Sequence, residues 1–345
     1  MASQGRDFGP AAGLCFTLKP EPSQEDACVP RRHTCPHARS AAEVPEISWV
    51  PLTEKGCTMT DTIDNPDNSR RTFLTLAAAG PAALAFGGAA LAQTAEADPA
   101  PLPGTGRAAI VTGSSRGIGA ATAKRLARDG YAVTVNCLVN TDLAAQVVAE
   151  IEAEGGRAIW RQADVADPDA MRTLFTANNE AFGGVDVVVS NAGIMNVGPF
   201  ADMTDAAFDR MIATNVKGSF NTLREAARNV RDGGRIITLS SSIILQVPPG
   251  AAAYAGTKAD QQLYAKALAR ELAGRNISVN AVAPGAVDTQ LLRQHGDEAL
   301  RGIPEATPLG RLGQPEDIAE VIALLCSRGG AWVNGETVFA NGGLS

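Results

Sequence analysis

The chain has 345 residues, of which 45% are hydrophobic and 19% are charged, a composition typical of a globular protein with one or two domains. Its formal net charge of −7 at pH 7 argues against broad electrostatic binding to nucleic acid or to an anionic membrane surface.

Residues 1–68 are rich in proline, serine and charged residues and show no sustained hydrophobic period, which predicts a disordered leader. Two cysteines and two histidines lie between Cys28 and His37, but their spacing fits no common zinc motif. A zinc site is therefore the weaker alternative, and no metal is predicted for the protein.

Residues 69–92 are predicted to be an export signal. Arg70 and Arg71 precede an uncharged stretch of Ala, Gly and Leu that ends in the small-residue pattern Ala90-Leu91-Ala92. This order resembles a bacterial twin-arginine signal and predicts cleavage after Ala92 and a periplasmic mature protein. A membrane anchor, a buried helix and a cytoplasmic protein with an artefactual leader are the alternatives.

Such a signal normally starts near an amino terminus, so translation is predicted to begin at Met59 and residues 1–58 to be an over-extended reading frame. Residues 93–105 are rich in Ala, Pro and Thr and are predicted to be a linker. No membrane span is expected to remain after cleavage.

From Arg107 onward, short apolar runs alternate with amphipathic stretches. The runs predicted to be strands are Ala108–Val111, Ala132–Val135, Ala158–Arg161, Val185–Ser190, Arg235–Leu239, Ser278–Val282 and Thr337–Ala340. Helices are predicted between them, for example at Ala120–Asp129, Thr141–Glu154 and Pro168–Phe182. The alternation predicts one α/β domain over residues 106–345, a Rossmann-type doubly wound parallel sheet of about seven strands with helices on both faces.

The first predicted strand leads into Thr112-Gly113-Ser114-Ser115-Arg116-Gly117-Ile118-Gly119 and then a helix. Glycines in such a turn allow close backbone approach, and the helix amino terminus offers N–H groups to a pyrophosphate. The glycine spacing is wider than in the common dinucleotide fingerprint. This turn alone therefore leaves open a structural strand-to-helix connection.

The turn is similar to that of the short-chain dehydrogenase/reductase family, and the resemblance extends over residues 106–345. The other motifs occur in the family's order: Asp164-Val165, Asn191-Ala192-Gly193, Asn215, Ser241, Tyr254 with Lys258, and Pro284-Gly285. Within the family the chain looks most like bacterial 3-oxoacyl-carrier-protein reductases. The resemblance implies a nicotinamide-dependent oxidoreductase that forms a homotetramer or homodimer through helices at Asp205–Arg231 and Tyr254–Ala273.

The resemblance also implies which residues bind the cofactor. The glycine turn would line the pyrophosphate, Asp164 would bind the adenine amine, and Thr289 would contact the nicotinamide carboxamide or the pyrophosphate. The full predicted set is Gly113, Ser115, Arg116, Gly117, Ile118, Gly119, Asn136, Asp164, Val165, Asn191, Ala192, Gly193, Tyr254, Lys258, Pro284, Gly285, Val287 and Thr289.

The end of the second predicted strand bears on the choice between NAD and NADP. This strand ends at Asn136-Cys137, without the acid that accepts from the ribose 2′-hydroxyl in NAD enzymes. Arg116 in the glycine turn offers a guanidinium that can pair with a 2′-phosphate. The sequence therefore favours NADP, with NAD as the alternative.

Tyr254 and Lys258 are four residues apart, so on a helix they share one face. A cation beside a phenol favours the phenolate and brings the pKa of the tyrosine down from about 10, toward the range useful for proton transfer. Tyr254 is therefore predicted to be the general acid and base, with Lys258 as its activator and as a ligand of the nicotinamide ribose.

The resemblance implies that a serine after the fifth predicted strand polarises the substrate oxygen. Ser241 has the expected spacing, Ser242 is the alternative, and Ser240 is predicted to be structural. Asn215 would hold a water in a proton relay, or else satisfy helix backbone groups. The predicted catalytic set is thus Asn215, Ser241, Tyr254 and Lys258.

Substrate choice is predicted to lie in residues 194–200, 243–249 and 290–307, whose first two segments are mostly apolar. A small ketone or secondary alcohol with a hydrophobic body is expected. Arg224, Arg228 and Arg231 offer either a basic face for an acyl carrier protein or a solvated helix face, and export argues against the carrier role. A non-catalytic NADP-binding sensor or assembly module is the rival function.

Overall fold

The computed structural model describes residues 102–296 and 300–344. The leader, the export signal and residues 93–101 of the linker lie outside the described residues, so these interpretations stay predictions. Residues 102–105 form a turn in which the Gly104 N–H donates to the Asp129 carbonyl at 2.8 Å. No helix among the described residues combines the length and hydropathy needed to cross a bilayer.

A parallel sheet forms the centre of the described part of the chain, where seven strands lie in the order β3-β2-β1-β4-β5-β6-β7. In chain order these strands are Ala108–Val111, Ala132–Cys137, Arg157–Gln162, Val185–Ser190, Val230–Leu239, Ser278–Pro284 and Thr337–Ala340. The predicted Rossmann-type doubly wound sheet is confirmed.

Helices cover both faces of the sheet. In chain order, α1 to α10 are Gly117–Arg128, Thr141–Ala153, Pro168–Phe182, Asp205–Met211, Gly218–Asn229, Ile243–Gln246, Ala252–Glu271, Gln290–Arg293, Ile303–Ala306 and Pro315–Cys326. Successive strand residues point to opposite faces. Ala109 and Val111 of β1 therefore pack with α1, α2 and α10, whereas Ile110 packs with α3, α5 and α7.

Of the five predicted helices, only Pro168–Phe182 matches the structure to the residue. Helix α1 begins three residues earlier and ends one residue earlier than predicted, and α2 ends one residue earlier. The segment Asp205–Arg231 is not one helix, because a π-helical turn at Ile212–Lys217 separates α4 from α5. Its last two residues belong to β5, where Val230 pairs with Val185 of β4. The other long helix, α7, begins two residues earlier and ends two residues earlier than predicted.

The strand order reverses between β1 and β4, which are neighbours in the sheet although β2 and β3 separate them in the chain. The connections that leave these two strands go to opposite sides of the sheet, so a crevice opens beyond their carboxyl ends. The glycine turn after Val111 and the residues after Ser190 lie at this crevice.

Candidate active site

The glycine turn connects β1 directly to α1. Close packing requires glycine at position 119, since a Cβ there would lie 2.5 Å from both the Gly113 carbonyl oxygen and the Asn191 Nδ2. Asn191 Nδ2 donates to the carbonyls of Thr112 at 2.8 Å and Gly113 at 3.1 Å. Asn191 therefore fixes the path of the turn from the end of the neighbouring strand.

Asn136 supports the same turn from the end of β2. The Gly113 N–H donates to Asn136 Oδ1 at 3.1 Å, and Asn136 Nδ2 donates to the Ala163 carbonyl at 3.1 Å. The side chain is buried and bonded to backbone groups on both sides. Its observed role is to hold the turn, and a direct contact with a cofactor stays a prediction.

A cleft of about 280 Å³ runs along this turn. No side chain of the described residues caps the amino terminus of α1, so its first N–H groups remain available beside the cleft. Thirteen of the predicted cofactor residues line it: Gly113, Ser115, Arg116, Gly117, Ile118, Gly119, Asn136, Asp164, Val165, Asn191, Ala192, Gly193 and Thr289.

The charged residues along the cleft differ from one end of it to the other. At the carboxyl end of β2 the cleft is lined by residues Asn136 to Asn140, and this stretch includes no carboxylate. Arg116 lies in the turn, and its Nη1 donates to Gln290 Oε1 at 2.5 Å, which connects the turn to the amino terminus of α8. Asp164 lies further along, where its Oδ1 accepts from the Ala166 N–H at 2.9 Å.

A second cavity, of about 300 Å³, adjoins the cleft. The remaining predicted cofactor residues line it, namely Tyr254, Lys258, Pro284, Gly285 and Val287. The two cavities share Ile118, Asn191, Gly193, Thr289 and Leu291 on their surfaces. A group bound in the cleft can therefore extend into the second cavity and reach Tyr254.

Tyr254 and Lys258 lie one turn apart on α7, and each is only 7% exposed. The Lys258 Nζ lies 5.8 Å from the centre of the Tyr254 ring and donates to the Leu239 carbonyl at 2.8 Å. Burial raises the pKa of the Tyr254 phenol above its ordinary value and lowers the pKa of the Lys258 ammonium to about 8.

The net direction for Tyr254 is opposite to the sequence-based expectation. That expectation counted only the attraction between the phenolate and the lysine charge. Burial of the phenol in this structure disfavours the phenolate, so the pKa of Tyr254 is raised. The phenol therefore keeps its proton at neutral pH.

The three serines after β5 have different surroundings. Ser240 is buried and its hydroxyl donates to the Lys258 carbonyl at 2.7 Å, which agrees with a structural role. Ser241 is half-buried, lines the second cavity and accepts from the Ile243 N–H at 3.3 Å. Ser242 also lines the cavity but is more deeply buried.

Asn215 lies in the π-helical turn and is 1% exposed. Its Oδ1 accepts from the Ile194 N–H and its Nδ2 donates to the Ile194 carbonyl, both at 2.8 Å. The same Nδ2 donates to Thr257 Oγ1 at 3.0 Å. The backbone groups that Asn215 satisfies thus belong to the segment after β4 and not to a helix, and a role in a proton relay stays a prediction.

Gln261, a buried residue one turn beyond Lys258 on α7, was missed by sequence reasoning. Its Nε2 donates to the Asn215 carbonyl at 2.8 Å, and its Oε1 accepts from the Thr238 hydroxyl. Gln261 thus ties the π-helical turn to the helix that carries Tyr254. Isolated glutamines carry no motif, so only the fold identifies it.

The three segments predicted to choose the substrate all reach the second cavity. They contribute Met195, Ile243, Gln246, Pro248, Leu291, Leu292 and Ile303. Leu344, near the carboxyl end of the described chain, also lines the cavity and lies outside those segments. Lys258 is the one charged side chain on the cavity surface among the described residues.

The prediction that Arg224, Arg228 and Arg231 lie on one helix is wrong for Arg231. Arg231 lies in β5 and forms an ion pair with Asp186 at 2.5 Å. Arg228 pairs with Glu225 at 2.9 Å, and Arg224 lies over the Phe220 ring at 5.2 Å. Each guanidinium thus has a partner within the chain.

Among the described residues, no group of three His, Cys, Asp or Glu side chains could hold a metal ion.

A cleft at a helix amino terminus suits a dinucleotide, and the adjoining cavity brings a tyrosine within reach of its reactive end. This combination defines a dinucleotide-dependent oxidoreductase of the doubly wound α/β class.

Comparison with known proteins gives the family. The family described as enoyl-(acyl carrier protein) reductase matches residues 113–345. The chain is 40% identical over 240 residues to a 3-oxoacyl-[acyl-carrier-protein] reductase of Staphylococcus aureus, a match that covers 69% of this chain and 98% of that protein. It is 39% identical over 251 residues to a versicolorin reductase of Emericella nidulans, with 69% and 95% covered.

A solved structure agrees with these relatives. The short-chain dehydrogenase of Burkholderia cenocepacia in complex with NADP is 39% identical to this chain, with a TM-score of 0.67. The match covers 70% of this chain and 99% of that protein. The chain belongs to the short-chain dehydrogenase/reductase family and is an oxidoreductase.

Proposed function

We propose that this protein transfers a hydride reversibly between NADP and a ketone or secondary alcohol, with Tyr254 as the general acid and base. One observation carries the proposal: Tyr254 lines a cavity that shares its surface with the dinucleotide cleft, and Lys258 lies one helical turn away. When bound, the nicotinamide supplies or accepts the hydride.

The side chains of Tyr254 and Ser241 supply the proton and bind the substrate oxygen. During reduction the Tyr254 hydroxyl donates its proton to the carbonyl oxygen, and during oxidation the tyrosine takes the proton back. Burial keeps this phenol protonated, which is the form that reduction requires. Ser241 lines the same cavity, so its hydroxyl suits a hydrogen bond to the same oxygen.

The cleft fits NADP. Its glycine turn and open helix amino terminus suit a pyrophosphate, Arg116 suits a 2′-phosphate, and the end of β2 carries no carboxylate that would repel it. The NADP complex of the Burkholderia relative supports the same cofactor. NAD, which lacks the 2′-phosphate, is expected to bind more weakly.

The substrate is proposed to be a neutral ketone or secondary alcohol of modest size. The cavity has a volume of about 300 Å³, and its surface is mostly apolar apart from the catalytic groups. A carrier-bound acyl chain is less favoured, since the arginines that would meet an acidic carrier are engaged within the chain.

The purified full chain tests this proposal when it is offered a panel of ketones with NADPH or NADH. We expect consumption of NADPH with at least one apolar ketone and a lower rate with NADH. Binding of NADPH without turnover of any ketone would contradict the proposal and favour the sensor or assembly function.

The amino-terminal segments extend the proposal to location. Residues 69–92 are proposed to direct export by the twin-arginine route, a route suited to a protein that folds around its cofactor before transport. Fractionation of cells that express the full chain should find the processed protein in the periplasm, and Arg70→Lys with Arg71→Lys should retain it in the cytoplasm. Cytoplasmic wild-type protein would favour the alternative location.

The protein is proposed to assemble as a homotetramer or homodimer through α4, α5 and α7. Phe208, Phe220 and Leu263 on these helices are 42%, 48% and 65% exposed in the single chain. Large exposed apolar residues on adjacent helices favour an interface. Light scattering of the purified chain should give two or four times the monomer mass, and a monomer at assay concentration would contradict this.

A further inference from the structure

The segment after β7, Asn341–Leu344, turns back toward the second cavity. Gly342 and Gly343 adopt left-handed backbone conformations with φ of 63° and 84°. The N–H groups of Gly343 and Leu344 both donate to Asn341, to its Oδ1 and its carbonyl respectively, at 3.1 Å. Two consecutive left-handed glycines make this sharp reversal possible.

Packing holds the turn on the loop after α9. The Leu309 N–H donates to the Gly342 carbonyl at 3.2 Å. A Cβ at position 342 would lie 2.8 Å from Thr307 Cγ2, and one at position 343 would lie 2.9 Å from Pro308 Cγ. The segment therefore has little room to shift, and Leu344 is placed by contacts on both sides of the turn.

A hydrogen bond connects the segment to α6. Gln246 Nε2 donates to the Leu344 carbonyl at 2.9 Å, across 98 residues of sequence. Both residues line the cavity that holds Tyr254 and Ser241. The chain segment after β7 and the helix after the catalytic serine together form a wall of the substrate cavity.

We infer that Leu344 determines how large a ketone the cavity accepts. This inference rests on the proposed function, since it concerns the substrate of the same site. Leu344 belongs to none of the three segments from which sequence reasoning predicts the substrate contacts. Removing three carbon atoms from one wall of a cavity of about 300 Å³ opens space for a bulkier substrate and removes contacts with a small one.

The test compares Leu344→Ala with the wild-type full chain on a series of ketones of increasing bulk, with NADPH as the reductant. One buried methylene changes discrimination about tenfold or more in an apolar pocket. We expect the ratio of kcat/KM for a bulky ketone to that for a small ketone to rise at least tenfold. The affinity for NADPH should remain within twofold of wild type.

Leu309→Ala is the matched control. Leu309 contacts the same turn through its backbone, but it is 70% exposed and its side chain lines a neighbouring cavity instead. The ketone ratio of this variant should equal that of wild type. Gly343→Ala, which strains the turn without changing a residue that lines the Tyr254 cavity, should shift the ratio in the same direction as Leu344→Ala.

The outcomes separate this inference from the proposed function. If the wild-type chain reduces ketones but Leu344→Ala leaves the ratio within twofold, the inference about Leu344 is wrong and the proposed function stands. An equal shift in Leu309→Ala would also overturn it, because the effect would then be general. If wild type reduces no ketone, the proposed function fails and the inference fails with it.

Discussion

The Lys258 ammonium lies 5.8 Å from the centre of the Tyr254 ring, and both side chains are buried and line the second cavity. Its charge and the burial act on the phenol in opposite directions. Burial raises the pKa of Tyr254 and brings the pKa of Lys258 down to about 8. The first three predictions follow from this pair.

Tyr254→Phe removes the hydroxyl that the proposed proton transfer requires. We expect kcat for ketone reduction to fall by 10²-fold to 10⁴-fold, about the contribution of a general acid. The Kd for NADPH, measured by fluorescence titration, should stay within about twofold, since the ring remains. Retention of more than a tenth of the wild-type kcat would contradict the assigned role.

The pH dependence of reduction should follow the titration of Lys258. Below pH 8 the ammonium is charged and makes Tyr254 a better proton donor; above pH 8 this charge is lost. We therefore expect kcat/KM to fall as pH rises through about 8. Lys258→Arg keeps a charge at every accessible pH, so its profile should lack that fall whatever its overall rate. The same fall in kcat/KM in wild type and in Lys258→Arg would refute the assignment of this pH dependence to Lys258.

Lys258 should not stabilise the fold. The folded pKa is lowered, so the unfolded chain binds more protons between pH 8 and about 10.4, and this group disfavours folding most below pH 8. Lys258→Met should unfold in urea at pH 7 with a free energy equal to that of wild type or higher by up to about 2 kcal/mol. This gain in the free energy of unfolding should shrink toward pH 10. A loss of more than about 2 kcal/mol in Lys258→Met at pH 7 would contradict the prediction.

The serine that contacts the substrate oxygen can be identified with matched variants. Ser241→Ala should lower kcat for reduction by roughly 10²-fold, because a hydrogen bond to the developing charge is lost. Ser242→Ala is expected to change kcat less than threefold, since that side chain is more deeply buried. If steady-state kinetics show that Ser242→Ala lowers kcat more than Ser241→Ala does, the contact with the substrate oxygen belongs to Ser242.

Arg116→Leu tests the choice of cofactor. Loss of a charge-assisted pair with the 2′-phosphate should raise the Kd for NADPH by about 10-fold to 100-fold and leave the Kd for NADH within about threefold. The variant also loses the bond to Gln290. Gln290→Ala removes the same bond while keeping the guanidinium, so this control should retain the NADPH preference. An equal rise in the Kd for NADPH and for NADH in Arg116→Leu would contradict recognition of the 2′-phosphate by Arg116.

Much of the architecture was predictable because it depends on local pattern. The strands at Ala108–Val111, Val185–Ser190 and Thr337–Ala340 were predicted to the residue, since each is a short, mostly apolar run bounded by glycine-containing turns. The π-helical turn at Ile212–Lys217 was not predicted, because tertiary contacts to Asn215 hold it. The early start of β5 depends in the same way on the pairing of Val230 with Val185.

The sequence by itself determined the fold class, the glycine turn, and the placing of Tyr254 and Lys258 on one helical face, because these features depend on residue type and on spacing within a single element. Only the tertiary structure decided that burial raises the pKa of Tyr254 and that Asn136 and Asn191 support the turn. It also decided that Leu344 lines the cavity with Gln246. Burial and contacts between residues 98 positions apart arise from packing, which local sequence does not encode.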